Sequence, residues 1–433
     1  MEYTKSKYTR LVPINGNTWF VHNLVSGSEC IMYQKEKNIL ASQKIFRDSK
    51  DPLVQEWYDL GFLVDAAVDE DACLELERKI SAYSSIKDEF GIVIAPTMDC
   101  NARCFYCYEN ETRAKYYMDD QTENQLIKYI KKMGAGKKRI FISWFGGEPL
   151  LCFDLIRRVS NEIIRFCDDN SIAYDAELTT NGYYLSDFID DFQDLRVSDI
   201  QITLDGFGKQ HEVRKNYFNC DNAWEHTLEN IFCYSQAGHH ITLRMNFDRS
   251  NVDGIKHTTD VLLHDPRWNR NISIYYYPLE PVSQDYNVYF TESEYASVME
   301  ELYINLYQNG YYDDRAEALE FFKLSLPCYG ATLGTTAIDY SGKIYHCQHL
   351  LCRNENAIGD IWSGIRITQD ILNWYDGKLP DKCKECEVIP LCQGGCVTKR
   401  NLGQTCYLCH MMKYRLDSQE KMKVMLLKKQ YNL

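Results

Sequence analysis

Six short apolar runs, separated by amphipathic stretches, set the rhythm of this chain. The first is Phe90 to Thr97, a buried strand that opens into a loop. Ile140 to Phe145, Ala173 to Thr180, Ile200 to Leu204, Ile241 to Met245 and Ile272 to Tyr277 follow. Between them, Asp119 to Met133, Asp154 to Cys167 and Ala223 to Gln236 carry apolar residues at three- and four-residue spacing, the period of a helix with one buried face. Repeated strand–helix alternation predicts an α/β fold with a parallel sheet, open or curled into a barrel. Ligands in such folds sit beyond the carboxyl ends of the strands. Before this region the pattern changes. Tyr8 to Val12, Thr18 to His22 and Glu29 to Met32 read as short strands, with turns at Asn15-Gly16-Asn17 and Ser26-Gly27. Helices are expected at about 35–47 and 52–60, and the charged segment 65–87 as a solvated helix leading into the sheet.

Cysteine placement adds the chemistry. Cys100, Cys104 and Cys107 follow the first strand in a Cys-x3-Cys-x2-Cys spacing. Thiolates this close can converge on one soft metal centre, iron–sulfur or zinc. Structural zinc wants four closed ligands. Three ligands on a four-iron cube leave one iron open to an outside molecule. Gly146-Gly147-Glu148-Pro149 follows the second strand, and glycines there let backbone approach a ligand closely. Thr179-Thr180-Asn181-Gly182 follows the third, and Leu204-Asp205-Gly206 ends the fourth, with His211 and Arg214 soon after. Arg244 and Asn246 lie on the fifth.

The three-cysteine motif, with Tyr106 before its last cysteine, and the Gly-Gly-Glu-Pro tetrad resemble the radical S-adenosylmethionine (SAM) enzymes. The resemblance implies a partial (β/α)6 barrel. It also implies a [4Fe-4S] cluster on Cys100, Cys104 and Cys107 whose open iron chelates SAM. Tyr106, Gly146, Gly147, Glu148, Pro149, Thr180, Asn181, Arg214 and Arg244 would line the cofactor. Asp205 would anchor substrate or accept a proton; the plain alternative is that it caps the next helix and that His211 is a surface residue. Arg214 would make an ion pair or a SAM contact, and Arg244 a cofactor contact or a structural ion pair.

The C-terminal third strengthens the resemblance. Cys328, Gly342 and Cys347 precede Cys383-x2-Cys386-x5-Cys392-x3-Cys396 and a Cys406/Cys409 pair. Alone, the central four could be a zinc ribbon. Together they resemble the SPASM extension of peptide-modifying radical SAM enzymes, which holds two auxiliary [4Fe-4S] clusters. By that resemblance Cys328, Cys347 and Cys396 serve the nearer cluster. Cys383, Cys386, Cys392 and Cys409 serve the farther one, with Cys406 the alternative to Cys409. Some relatives place a further cysteine where this chain has Phe322, so the nearer cluster either keeps an open iron or recruits Cys352. Cysteines 30, 73, 152, 167, 220 and 233 show no ligand spacing and are expected to pack as small hydrophobes.

Composition agrees. A chain of 433 residues suffices for two or three domains. The expected division is a module at 1–88, a radical SAM core at 89–300, a SPASM domain at 301–415 and a closing helix at 416–433. The 18 cysteines in metal-type spacings, without a signal peptide, point to a reducing cytoplasm. A net charge of −14 disfavours nucleic acid as partner, and no apolar run reaches membrane-spanning length. The N-terminal strands and helices are compatible with a winged-helix-like module that binds a leader peptide on a sheet edge, or with a plain cap over the barrel. The resemblance thus implies an oxidoreductase-type enzyme: a 5′-deoxyadenosyl radical modifies a ribosomally made precursor peptide by a thioether or carbon–carbon link. The electron donor would be a flavodoxin or ferredoxin. The alternatives are a sulfatase maturase that makes formylglycine from Cys or Ser, and a non-catalytic iron–sulfur electron carrier. The carrier would need neither the tetrad nor an open iron.

Overall fold

A computed structural model describes residues 2–42, 44–47, 51–280, 288–315, 319, 328–332, 334–376, 379–403 and 408–433. Phe322 and Cys406 lie outside the described residues, as does the side chain of Cys409. The chain divides into two compact units, each assembled from separated segments.

The first unit comprises 1–81, 292–328 and 376–433. Its N-terminal segment forms β1 (Tyr3–Lys5), β2 (Thr9–Pro13), β3 (Thr18–Asn23), β4 (Glu29–Tyr33), α1 (Gln34–Ser42), α2 (Pro52–Asp59) and β5 (Leu63–Asp65), then enters α3 (Glu70–Asp88). Strands β2, β3 and β4 make an antiparallel sheet in that order, while β5 returns to pair with β1. Proline at its first position and the Asp51 carboxylate accepting from the Leu53 N–H start α2. Val21, Met32, Leu40, Phe46, Trp57 and Phe62 bury one face of this segment. Its other face belongs to the end of the chain. Tyr8, Ile14, Phe20 and Leu24 share one core with Cys383, Val388, Ile389, Leu416 and Val424. Arg10 reinforces that junction through Glu420, Asp417 and Glu387, and the buried His22 Nε2 lies 2.7 Å from Glu420.

The second unit comprises 82–291 and 329–375. Strands β6 (Glu89–Ile94), β7 (Arg139–Trp144), β8 (Ala173–Thr180), β9 (Val197–Leu204), β10 (His240–Phe247) and β11 (Ile272–Pro278) run parallel in chain order. Helices α4 (Asp120–Gly134), α5 (Phe153–Asn170), α6 (Lys209–Lys215), α7 (Ala223–Gln236) and α8 (Val252–His264) stand between them. This is an α/β architecture with a largely parallel sheet of partial-barrel type, as the resemblance implies. In α5, Phe153, Ile156, Val159, Ile163, Ile164 and Cys167 recur at helical spacing and are buried, and Ser171 ends the helix in the left-handed region. The interior of β6 is buried at five successive positions, as expected of a strand covered on both faces.

Beside β6 the sheet continues. Strand β12 (Thr335–Ile338) pairs parallel to it, and β13 (Lys343–Tyr345) pairs antiparallel to β12. Close approach fixes one residue here: a Cβ on Gly91 would stand 2.3 Å from the Thr335 hydroxyl. These strands lie inside the segment expected to belong to the cysteine-rich extension.

Candidate active site at the strand ends

The loop leaving β6 carries the three cysteines, and backbone bonds shape it. Met118 N–H returns to the Pro96 carbonyl, Asp99 N–H donates to the Thr97 hydroxyl, and Cys107 N–H donates to the Cys104 carbonyl. The loop leaving β7 runs directly against it. Gly147 N–H donates to the Thr97 carbonyl at 3.1 Å and Glu148 N–H to the Asp99 carbonyl at 2.8 Å. A Cβ on Gly147 would lie 2.2 Å from the Asp99 oxygen, so only glycine allows this approach. The tetrad is therefore bound to the residue preceding Cys100.

Glu148 is fully buried, and its carboxylate accepts from the Thr180 hydroxyl at 2.8 Å, the Asn181 N–H at 2.9 Å and the Leu150 N–H at 3.1 Å. Burial pushes its pKa up to about 6 against these donors. Pro149 opens the short 3-10 turn that follows. One carboxylate thus ties together the second and third strand ends. The Asn181 side chain goes on to donate to Asn101 Oδ1 at 2.5 Å, and Asn101 donates to the Cys220 sulfur at 3.3 Å.

The fourth and fifth strand ends meet at Tyr106. Its hydroxyl donates to Asp205 Oδ2 at 2.5 Å and accepts from the Asn246 amide at 3.2 Å; Arg244 Nε donates to Asn246 Oδ1 at 3.0 Å. The Arg244 guanidinium also lies 3.9 Å from the Tyr277 ring centroid. Asp205 is fully buried, its Oδ2 is 3.7 Å from the Lys215 ammonium, and its Oδ1 has no hydrogen-bond partner among the described residues. Asp205 does not cap α6: Gly208 holds that position with no side-chain bond. Nor is His211 a surface residue. It is fully buried, with Nδ1 accepting from the Asp205 N–H at 3.3 Å and Nε2 lying 3.2 Å from the Tyr217 hydroxyl. Burial, then the Lys215 charge, depress its pKa to about 3. Arg214 pairs with Asp248, with one oxygen at 2.6 Å and the other at 3.4 Å, and bonds the Ser250 hydroxyl at 2.7 Å.

Asn101, Lys215 and Glu109 join the site with no forewarning in the sequence. Glu109, two residues past Cys107, is buried, and that burial raises its carboxyl to about 8. An Arg-Lys pair closing a short helix reads as solvated, and only the fold buries it. Among cysteines expected to pack as small hydrophobes, Cys167 is buried, Cys73 is exposed, and Cys220 reaches the motif loop through Asn101.

Among the described residues, no group of three His, Cys, Asp or Glu side chains stands in metal-holding geometry. The donor set fits a cluster on other grounds. The three thiols share one loop, with Cys104 an electrostatic neighbour of both Cys100 and Cys107; burial raises all three, Cys107 to about 11. A bound cation would offset that cost. The glycine tetrad supplies close backbone beside them.

Residues 94–262 match the model of the Radical SAM superfamily. The chain carries a radical SAM domain. This family implies SAM and a [4Fe-4S] cluster as cofactors. The radical SAM cyclopropyl synthase TigE of Paramaledivibacter caminithermalis is 21% identical over 282 residues, 58% of either chain. A probable GTP 3',8-cyclase of Archaeoglobus fulgidus is 31% identical over 126 residues, 28% of this chain and 38% of that protein. The chain therefore spans less than two thirds of these relatives' lengths. Among solved structures, native anSMEcpe with bound AdoMet and the Cp18Cys peptide superposes with a TM-score of 0.60 at 14% identity, covering 79% of this chain and 99% of that one. The radical SAM domain thus sits in a fold shared well beyond the matched residues.

The auxiliary-cluster candidates are distributed over both units. Cys347 lies in the second unit, buried among Val93, Ala337, Tyr345 and Leu350. Cys352 adjoins the same core in the left-handed region, where burial and then the nearby Asp339 carboxylate push its thiol pKa up. Cys328 is exposed and, like Cys396, belongs to the first unit. Cys383 and Cys392 are buried there, and Cys386 N–H turns back on the Cys383 carbonyl at 3.3 Å. Among the described residues, no helix is long and apolar enough to cross a membrane.

Proposed function

We propose that this chain modifies a ribosomally made precursor peptide, joining two of its residues by a thioether or carbon–carbon link. The observation that carries the reading is the meeting of the cysteine loop, the glycine tetrad and the Thr-Asn-Gly turn around Glu148, with Asp205 buried alongside. Cys100, Cys104 and Cys107 would hold the cluster, and Gly146, Gly147, Glu148, Pro149, Thr180, Asn181, Tyr106, Arg214 and Arg244 would frame SAM. When bound, the pair supplies a radical able to take hydrogen from an unactivated carbon.

The chain's own residues do the rest. Tyr106 and Lys215 hold one Asp205 oxygen and leave the other without a partner among the described residues, the arrangement of a group kept ready to accept a substrate proton. His211, neutral and buried, holds the Asp205 backbone. The link costs the peptide two hydrogens, one abstracted and one leaving as a proton; the remaining electron needs an acceptor. Auxiliary clusters on Cys328, Cys347 and Cys396, and on Cys383, Cys386, Cys392 and Cys409, would serve, with a flavodoxin or ferredoxin as the external donor.

A peptide substrate is supported by the likeness in fold to anSMEcpe, which was captured with a peptide. It is supported too by β4, an edge strand with no further strand partner among the described residues, on which a leader could add as a strand. The test is mass spectrometry of the gene-neighbouring peptide after anaerobic incubation. Loss of two hydrogens with sulfur retained and no aldehyde trapped by a hydrazide probe supports the link, since serine oxidised to formylglycine loses the same mass but leaves an aldehyde. Replacement of a cysteine sulfur by oxygen indicates formylglycine, the alternative reading. No peptide change alongside rapid SAM cleavage refutes both.

A further inference from the structure

Lys215 closes α6 with its side chain 5% exposed. An interior ammonium must be matched by negative charge. Its ion pair is with Asp205, whose Oδ2 already takes the Tyr106 hydroxyl. One shared carboxylate at 3.7 Å is a modest match for a buried cation.

The remaining match is in the cysteine loop. Arg103 N–H donates to the Lys215 carbonyl at 2.8 Å, Phe218 N–H donates to the Asn101 carbonyl at 2.6 Å, and Ala102 forms a bridge with Tyr217. Segment 215–218 is thereby laced along 101–103, between the first two cysteines. The Asp205 oxygen that faces the Lys215 ammonium at 3.7 Å is the one that takes the hydroxyl of Tyr106 at 2.5 Å, and Tyr106 stands between Cys104 and Cys107 in the chain.

We propose that Lys215 is a positioning residue for the three-cysteine centre, its ammonium the fixed internal countercharge of the thiolates and Asp205 the counterweight. The proposal rests on the reading that these cysteines hold a four-iron cluster. Reduction adds one negative charge, so a fixed cation nearby favours the reduced form and a fixed anion opposes it. Neutralising Lys215 should lower the potential and neutralising Asp205 should raise it. Merely structural roles would not give opposite signs.

The experiment is an anaerobic redox titration of the reconstituted full chain. It follows the electron paramagnetic resonance signal that changes when SAM is added, with iron counted for each variant. Expected are a shift to lower potential in Lys215→Met, little shift in Lys215→Arg and a shift to higher potential in Asp205→Asn. Loss of iron in Lys215→Met that Lys215→Arg restores also supports the countercharge. Unchanged potentials in Lys215→Met and Asp205→Asn, shifts of the same sign, or equal iron loss in both lysine variants would overturn it. A wild-type chain with no SAM-responsive signal would instead fail the cluster reading itself.

Discussion

Acidification should expose His211. Its ring is buried and neutral, and its pKa is depressed from 6.5 to about 3. The unfolded chain takes up a proton at this residue below pH 6.5 and the folded chain does not, so its contribution is present above the unfolded pKa and lost as pH falls. Between pH 7 and pH 5 the loss is about 2 kcal/mol from this side chain alone. His346 and His349, both depressed to about 4 by burial, add to the same acid limb, so the wild-type slope is not assignable by itself. Comparison with His211→Gln isolates the term, since glutamine can still accept from Asp205 N–H and donate toward Tyr217 without titrating. The assay is urea unfolding at both pH values, read from tryptophan fluorescence, to which the buried Trp144 and Trp224 report from the same unit. The variant should lose about 2 kcal/mol less than wild type over that interval. Equal losses would mean that His211 is charged in the folded state or open to solvent, and the Asp205 backbone contact as drawn would be wrong.

Replacing Cys100, Cys104 and Cys107 together by alanine should remove about four irons per chain and all SAM cleavage, counted by iron assay and 5′-deoxyadenosine release. Gly147→Ala would put a methyl 2.2 Å from the Asp99 oxygen; SAM affinity should fall at least tenfold by calorimetry, while Gly16→Ala, in open space, should leave it unchanged. Glu420→Ala strips the buried partner of Arg10 and His22 and should destabilise the first unit by about 3 kcal/mol in urea unfolding. Cys352→Ala should leave the iron count intact, because that side chain packs against the core around Val93, Ala337 and Tyr345; loss of four irons would make it a ligand.

Where the sequence was legible, local periodicity and burial coincide. Ala173–Thr180 and Ala223–Gln236 fall where alternation and helical spacing put them. β9 begins at Val197, three residues before its apolar run, because Ser198 and Asp199 are polar; Asp199 is engaged by His240 and Thr242 on the neighbouring strand. β12 gave no signal: four residues, two of them threonine, become a strand only because β6 lies alongside, some 240 residues earlier. The site divided the same way. Motif cysteines and glycines have distinctive spacing, whereas Asn101 and Lys215 act through partners that no local pattern announces.

The core that Tyr8, Phe20 and Leu24 share with Val388, Leu416 and Val424 has a consequence for biosynthesis. Contacts spanning nearly the whole chain close late, since the intervening polymer must be made before its ends can meet. The first eighty residues therefore leave the ribosome with an apolar face uncovered, and that face waits for the final helix. Nascent-chain proteolysis should find the N-terminal segment cleavable until residues beyond 424 have cleared the exit tunnel.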